Sequence, residues 1–134
     1  MTNENKELLL KDLSARLPYG VKIVNTYNEL INGHLIGIKG ELITMFSSGQ
    51  ATFNICEIKP YLRPMSSMTE EEYKEFNTQI YKANPYSDGK SYNIYEVTGL
   101  NVDWLNAHHF DYRGLIERGL AIEASKGMYN LSEK

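Results

Sequence analysis

Residues 21–58 contain four short apolar runs separated by turn signals, and this alternation constrains the fold more than any other feature of the chain. The runs cover residues 21–27, 35–38, 41–46 and 51–58, and they are rich in the β-branched side chains that favour strands. Asn32-Gly33 stands between the first two runs and fits a type I′ hairpin turn, which needs positive φ at both central residues. Lys39-Gly40 and residues 47–50 separate the others. The pattern predicts a small antiparallel meander, with an SH3-like barrel as one form it could take.

Helical patterns flank this region on both sides. Residues 5–17 place leucines at helical spacing, and Pro18 and Gly20 end the pattern. Thr69 and Glu72 have the spacing of a capping box, so a second helix is expected from about residue 69. A strand is expected at residues 91–97, and short helices at residues 101–109 and 111–118, the last ended by Gly119. The expected class is α+β: an N-terminal helix, a small antiparallel meander, and C-terminal helices that close one face of the sheet.

The length of 134 residues fits one domain, residues 1–134, which we divide into four segments. Residues 1–58 hold the first helix and the sheet. Residues 59–68 contain Pro60 and Pro64 and are expected to form a stiff connector, because proline fixes its own φ and biases the preceding residue towards extended backbone. Residues 69–124 are expected to be mostly helical, and residues 125–134 to form a polar tail.

Composition and charge argue against several functions. The net charge is −3 and the fourteen basic residues are scattered, whereas nucleic-acid binders usually concentrate positive charge, so nucleic acid is an unfavoured partner. No apolar run approaches the roughly 20 residues of a membrane span, so no membrane partner is expected. The polar N-terminus lacks a signal-peptide pattern, which predicts a cytoplasmic location. The single cysteine, Cys56, lies in an apolar alternation and is expected to be a buried thiol.

The densest polar stretch, residues 103–113, supplies the candidate binding surface: Trp104, His108, His109, Asp111 and Arg113. Imidazole titrates near neutral pH, and a carboxylate can orient it. Adjacent helical residues point about 100° apart, however, so two neighbouring histidines are poorly placed to share a metal, and the H-E-x-x-H pattern is absent. We therefore assign no catalytic residue, no metal ligand and no cofactor. The alternative interpretation is structural: one histidine caps the preceding helix, Asp111 caps the next, and Arg113 pairs locally.

Three functions are compatible with these patterns. The favoured one is a non-enzymatic protein-interaction or accessory module whose partner is a protein. A second is nucleic-acid binding through a winged-helix-like C-terminal half, because Gly119 followed by an apolar run can lead from a helix into a wing. A third is a small hydrolytic or metal enzyme that uses His108, His109 and Asp111.

Three blocks of sequence carry a resemblance to known proteins: residues 15–21, residues 58–64 with 68–72, and residues 102–116. Together they resemble a group of short uncharacterised proteins of gut Bacteroidales genomes and their prophages. The resemblance covers most of the chain and implies a phage or mobile-element setting. It brings no established activity, so it assigns no role to any residue.

Overall fold

The structure, a computed structural model, describes residues 1–83 and 99–129. This part of the chain contains three α-helices: α1 (Asn3–Arg16), α2 (Glu70–Ala83) and α3 (Gly99–Ala107). It also contains six strands: β1 (Lys22–Asn25), β2 (Asn28–Lys39), β3 (Leu42–Phe46), β4 (Gln50–Asn54), β5 (Ile58–Leu62) and β6 (Ile122–Glu123). Helices and a mainly antiparallel sheet occur together, so the α+β class is confirmed.

The six strands form one sheet in the order β4-β3-β2-β1-β5-β6. Every neighbouring pair is antiparallel except β5 and β6, which run parallel. The long connection that a parallel pair needs includes α2 and α3. The first four strands are a meander, as the sequence predicts, but the first of its three turns lies at a different position from the predicted one. β4 and β6 lie at the two ends of this order, and an SH3-like closure stays a prediction.

Local signals place α1 and α2 within two residues of where the sequence predicts them. Thr2 Oγ1 accepts the N–H of Asn5 at the start of α1, and Gly20, with φ of 64°, follows the short helical turn that ends it. The capping box of α2 is confirmed in both directions, since Glu72 N donates to Thr69 Oγ1 at 3.1 Å and Thr69 N donates to Glu72 Oε1 at 3.0 Å.

The hairpin turn predicted at Asn32-Gly33 is wrong, because both residues lie within β2. The chain turns earlier, between β1 and β2. There the side-chain oxygen of Asn25 accepts the backbone N–H of Tyr27 at 2.8 Å and that of Asn28 at 3.2 Å. This local side-chain turn competes successfully with the type I′ signal further along the chain.

Gly33 has a different function in the sheet. A Cβ at this position would lie 2.5 Å from the carbonyl oxygen of Phe46, so the residue is glycine because β3 approaches it closely. The other two predicted turns are confirmed: Gly40, with φ of 60°, stands between β2 and β3, and residues 47–49 join β3 to β4.

The strand predicted over residues 51–58 is interrupted. β4 ends at Asn54, whose side chain accepts the N–H of Cys56 at 2.9 Å and begins a short 3-10 turn at Ile55–Glu57. Cys56 is exposed in this turn, so the expectation of a buried thiol is wrong. The apolar alternation around it divides between two strands and the turn that joins them.

Residues 59–68 do not form a connector, because the first four of them belong to β5, which lies between β1 and β6. Pro60 is tolerated here for a geometric reason. Thr26 N donates to Glu57 O at 2.8 Å, which makes that pair hydrogen-bonded, and hydrogen-bonded and non-hydrogen-bonded pairs alternate along an antiparallel ladder. Pro60, opposite Ile23, therefore occupies a position that needs no N–H towards β1.

The helix predicted at residues 111–118 is wrong, because this segment forms turns. The carboxylate of Asp111 accepts the N–H of Leu115 at 2.8 Å and that of Ile116 at 2.9 Å. A helix N-cap would instead bond the N–H two or three residues ahead, so this side chain favours a wider turn. Gly119, with φ of 74°, ends the segment before β6, as the sequence predicts.

Two apolar clusters hold these elements together. In the larger, Leu9 and Leu13 of α1 pack with strand residues such as Ile23 and with residues of the segment 115–121. The smaller consists of Phe76, Trp104, Leu105 and Phe110. The sheet face is thus closed by α1 and the turn segment, whereas α2 and α3 pack on each other, which corrects the expectation that C-terminal helices close the sheet.

The predicted strand at 91–97 and the tail beyond residue 129 lie outside the described residues. Among the helices that are described, none is both long and apolar enough to cross a lipid bilayer.

Candidate functional site

Three of the five predicted site residues lie in α3 or directly after it: Trp104 in the helix, then His108 and His109. The backbone at the end of the helix explains the position of His109. His109 N donates to Asn106 O at 3.1 Å, and Phe110 N donates to Leu105 O at 3.0 Å. This pair of bonds is a Schellman motif with His109 at the left-handed position, where its φ is 64°. A non-glycine residue there is uncommon and is strained by roughly 1–2 kcal/mol.

The side chain of His109 is buried against the C-terminal segment. It is 3% exposed, and its ring stacks on the Tyr129 ring with centroids 3.8 Å apart. Burial, followed by the positive charge of Arg16, lowers the pKa of His109 to about 3, so the imidazole is neutral at pH 7. Its Nδ1 has no hydrogen-bond partner in the described part of the chain. A general acid or base needs a pKa near the working pH, and His109 lacks one.

Trp104 and His108 form a stacked pair on α3. Their ring centroids are 4.1 Å apart, and His108 Nδ1 lies 2.9 Å from the carbonyl oxygen of Trp104. When Nδ1 carries the proton, that contact is the histidine cap of the helix C-terminus that the alternative interpretation predicts. Trp104 is 7% exposed, and its Nε1 donates to Glu75 Oε1 at 2.8 Å, so the indole joins α3 to α2.

Asp111 and Arg113 point to different neighbours. Asp111 is 8% exposed and holds the turn described above. Arg113 donates from Nε to Asp12 Oδ1 at 3.1 Å, a residue 101 positions earlier, and from Nη2 to the Tyr112 hydroxyl at 3.1 Å. The hydroxyl in turn donates to Asn106 Oδ1 at 3.0 Å. Arg113 therefore pairs locally with Tyr112, as the alternative interpretation expects, and also over a long range with Asp12.

Asp12, Arg16 and Arg113 form a buried ionic cluster that the sequence did not reveal as a group. Asp12 and Arg16 are 0% exposed, and Arg16 Nε donates to Asp12 Oδ2 at 2.7 Å. Arg16 Nη2 donates to Phe110 O at 2.6 Å, while Nη1 has no partner within the described residues. Leu9, Asp12 and Arg16 share one face of α1. This helical spacing is the signal in the sequence that indicates that Asp12 and Arg16 face inwards. Nothing in the sequence links them to Arg113.

The five predicted residues do not converge on a common cleft. Trp104, His109 and Asp111 are more than nine-tenths buried, and their contacts stabilise α3 and the following turn. In residues 1–83 and 99–129, no three His, Cys, Asp or Glu side chains lie close enough to hold a metal ion. These contacts favour the structural interpretation, and a partner surface around the five residues stays a prediction.

Several exposed apolar side chains lie on the sheet. Along β3, Ile43 and Met45 are buried in the core, so Leu42 and Phe46 point to the opposite side, which we call the open face. Ile36 is the extra residue where the register between β2 and β3 shifts, and its side chain is exposed although Leu35 before it is buried, so we count it with the open face. Three large side chains form the open-face patch, each 44–48% exposed: Ile36, Leu42 and Phe46.

A groove crosses the open face beside this patch. Phe46 pairs with His34, and His34 pairs with Lys22, so their side chains form one row across β3, β2 and β1. The cavity measures about 590 Å³. Its lining includes Lys22, Asn32, His34, Phe46, Tyr61 and Met128. None of the described residues that line it is acidic.

Tyr129 fixes one side of the groove. Its hydroxyl accepts the backbone N–H of Lys22 at 2.7 Å and donates to the carbonyl of Tyr61 at 2.8 Å, so it bridges β1 and β5 where their ladder ends. Lys22 Nζ donates to Met128 O at 2.8 Å. Burial raises the pKa of the Tyr129 phenol above its usual range. The segment expected to be a polar tail is therefore anchored to the sheet as far as Tyr129.

Comparisons of the chain with protein-family models, with curated proteins and with solved structures found no match. The resemblance to the Bacteroidales group stays an expectation from the sequence.

Proposed function

We propose that this chain is a protein-binding module without catalytic activity, and that its partner contacts the open face of the sheet. The observation that carries the proposal is the exposure of three large apolar side chains on two neighbouring strands, Ile36 on β2 and Leu42 and Phe46 on either side of Thr44 on β3. Single exposed apolar residues are normal, but several large ones on one sheet face are typical of interaction sites in soluble proteins. The hairpin tip between β1 and β2 adds Tyr27 and Leu30, which are 81% and 91% exposed.

The other two functions receive less support from the described residues. His109 is neutral, buried and stacked, and Asp111 is occupied by backbone N–H groups, so neither is available to a reacting substrate. The chain after Gly119 enters β6, which pairs in parallel with β5 rather than forming the two-stranded wing of a winged helix. A protein partner is therefore favoured over nucleic acid and over a small substrate. A cytoplasmic location and a phage or mobile-element setting remain part of this proposal.

Selection from a displayed library of protein fragments, made from the genome that encodes the chain, tests the proposal. The purified protein is the bait, and each enriched fragment is then titrated against a variant that carries Ile36→Lys and Leu42→Lys. We expect binding to weaken by about tenfold or more, because each lysine places a charge in an apolar contact.

The matched control is Tyr73→Lys, which changes a side chain of similar exposure on α2, 44%, away from the sheet. It should leave fragment binding unchanged. The proposal is wrong if no fragment is enriched, or if enriched fragments bind the sheet variant and the wild type equally while circular dichroism shows that both are folded.

A further inference from the structure

The groove on the open face is built from four strands. Phe46, His34 and Lys22 form its row across β3, β2 and β1, and Tyr61 of β5 joins the row through the Tyr129 hydroxyl. Its cavity of about 590 Å³ lies within the range of about 300–1,000 Å³ that is usual for ligand sites. The strands that supply these residues are paired with one another through backbone hydrogen bonds.

The charge of the groove is opposite to that of the chain. The protein carries a net charge of −3, yet the described lining residues include the basic side chains of Lys22 and His34 and no Asp or Glu. The remaining ionisable side chain of the described lining is the phenol of Tyr61. Lys22 Nζ donates one of its three hydrogens to Met128 O and lies 5.5 Å from the centroid of the Tyr129 ring, and within the described residues it makes no other hydrogen bond. His34 is exposed. A carboxylate is the group that complements this pair.

Apolar side chains surround these two basic residues. Phe46 is 46% exposed, and Met128 lines the groove with an unbranched side chain that adapts to different contacts. Phe46 also belongs to the open-face patch, so the groove and the patch are continuous. An occupant of the groove can therefore extend along β3 towards Leu42, which favours a peptide segment over a small acid.

We propose that the groove binds an extended peptide segment of the partner protein in which an Asp or Glu stands beside a large apolar side chain. The carboxylate contacts Lys22 and His34, and the apolar side chain packs on Phe46. This inference rests on the proposed function, because it specifies the part of the partner that the open face recognises.

Panning a random peptide library against the wild-type protein tests the inference. We expect the enriched sequences to share an acidic residue next to an aromatic or large aliphatic one. The most enriched peptide is then synthesised with a fluorescent label and titrated by anisotropy at low salt. We expect His34→Gln and Lys22→Gln each to weaken binding by about tenfold, as loss of a hydrogen bond to a charged group does.

Two controls separate recognition from folding. Lys11→Gln removes an exposed lysine of α1, which packs on the opposite side of the sheet from the groove, and should leave the Kd unchanged. Because Lys22 also holds Met128, His34→Gln is the decisive variant, and His34→Glu should reverse the preference towards the same peptide with its acidic residue replaced by lysine.

The inference is overturned if enriched peptides show no acidic preference, or if they bind His34→Gln and Lys22→Gln as tightly as the wild type. That failure is distinguishable from failure of the proposed function. In that case protein fragments would bind less tightly to the Ile36→Lys, Leu42→Lys variant, while peptides would bind His34→Gln as tightly as the wild type. That combination would keep the open face as the interface and show that the groove is not part of it.

Discussion

Replacing Asp12 by asparagine tests whether the buried ionic cluster stabilises the fold. The Asp12 carboxylate is fully buried and accepts Nε of Arg16 at 2.7 Å and Nε of Arg113 at 3.1 Å. Asparagine keeps the size and one acceptor oxygen but removes the negative charge. Arg16 is then buried without a counter charge, and breaking a buried pair in this way costs about 3–5 kcal/mol.

The structure favours the lower end of that range. The Arg113 side chain is 19% exposed and can turn towards water, so only Arg16 keeps an uncompensated buried charge. A loss of about 3 kcal/mol in the free energy of unfolding lowers Tm by roughly 10 °C in a chain of this length. Thermal and urea denaturation followed by circular dichroism measure both quantities.

Glu41→Gln is the matched control, since it also removes one carboxylate from an ion pair. Glu41 Oε1 lies 3.2 Å from Lys6 Nζ, but both side chains are accessible to water, and an exposed pair contributes little. We expect a Tm close to that of the wild type. If Asp12→Asn were no less stable than Glu41→Gln, the reasoning about the buried charge would be refuted.

A second variant separates charge from packing. Asp12→Leu combined with Arg16→Met replaces the pair with apolar side chains, and such replacements of buried pairs are often neutral or stabilising. The double variant should therefore be more stable than Asp12→Asn. If the double variant were less stable than Asp12→Asn, the destabilisation by Asp12→Asn would be due to lost packing rather than to the buried charge. Part of the instability of the double variant would then come from the carbonyl of Phe110, which loses the hydrogen bond that Arg16 donates in the wild type.

Three further outcomes are expected. Wild-type stability should fall as the pH drops below about 6.5, because the unfolded chain binds a proton that buried His109, with its pKa of about 3, does not. Relative to His109→Phe, the wild type should lose roughly 2 kcal/mol of unfolding free energy between about pH 7 and pH 5. Urea denaturation at the two pH values measures this loss, and equal changes in both proteins would contradict the prediction. Gly33→Ala should destabilise by roughly 1–3 kcal/mol because its Cβ meets the carbonyl of Phe46, whereas Gly49→Ala, with open space around it, should match the wild type in the same assay. Tyr129→Phe should cost about 1–3 kcal/mol and speed hydrogen exchange where β1 and β5 adjoin, since it removes the hydroxyl that joins them; unchanged exchange there would show that the bridge is dispensable.

The sequence by itself determined the features that depend on neighbours a few residues away. The capping box of Thr69 and Glu72, the left-handed Gly40 between two strands and Gly119 at the end of its turn all follow from local hydrogen bonds and backbone sterics. The apolar stripe of α1 is equally local, because helical periodicity alone brings Leu9 and Leu13 to one side. Such features are predictable because they depend on interactions between residues that are close in the sequence.

The tertiary structure decided which of several local possibilities is used. Asn32-Gly33 satisfies the rules for a hairpin turn, yet the approach of β3 requires a glycine there within a strand. From the sequence, Pro60 is interpreted as part of a connector. In the structure it lies in a strand, opposite Ile23 of β1, at a position that needs no N–H. In both cases the deciding atoms come from another strand.

The candidate site follows the same division. The sequence identified a polar stretch, residues 103–113, but the density of polar groups does not give their direction, and most of these side chains are used inside the molecule. The open face combines residues from four strands and joins the segment at Tyr129 to β1, and Arg113 meets Asp12 across 101 positions. Only the folded chain brings such residues together, because their contacts are set by strand register and packing rather than by spacing along the sequence.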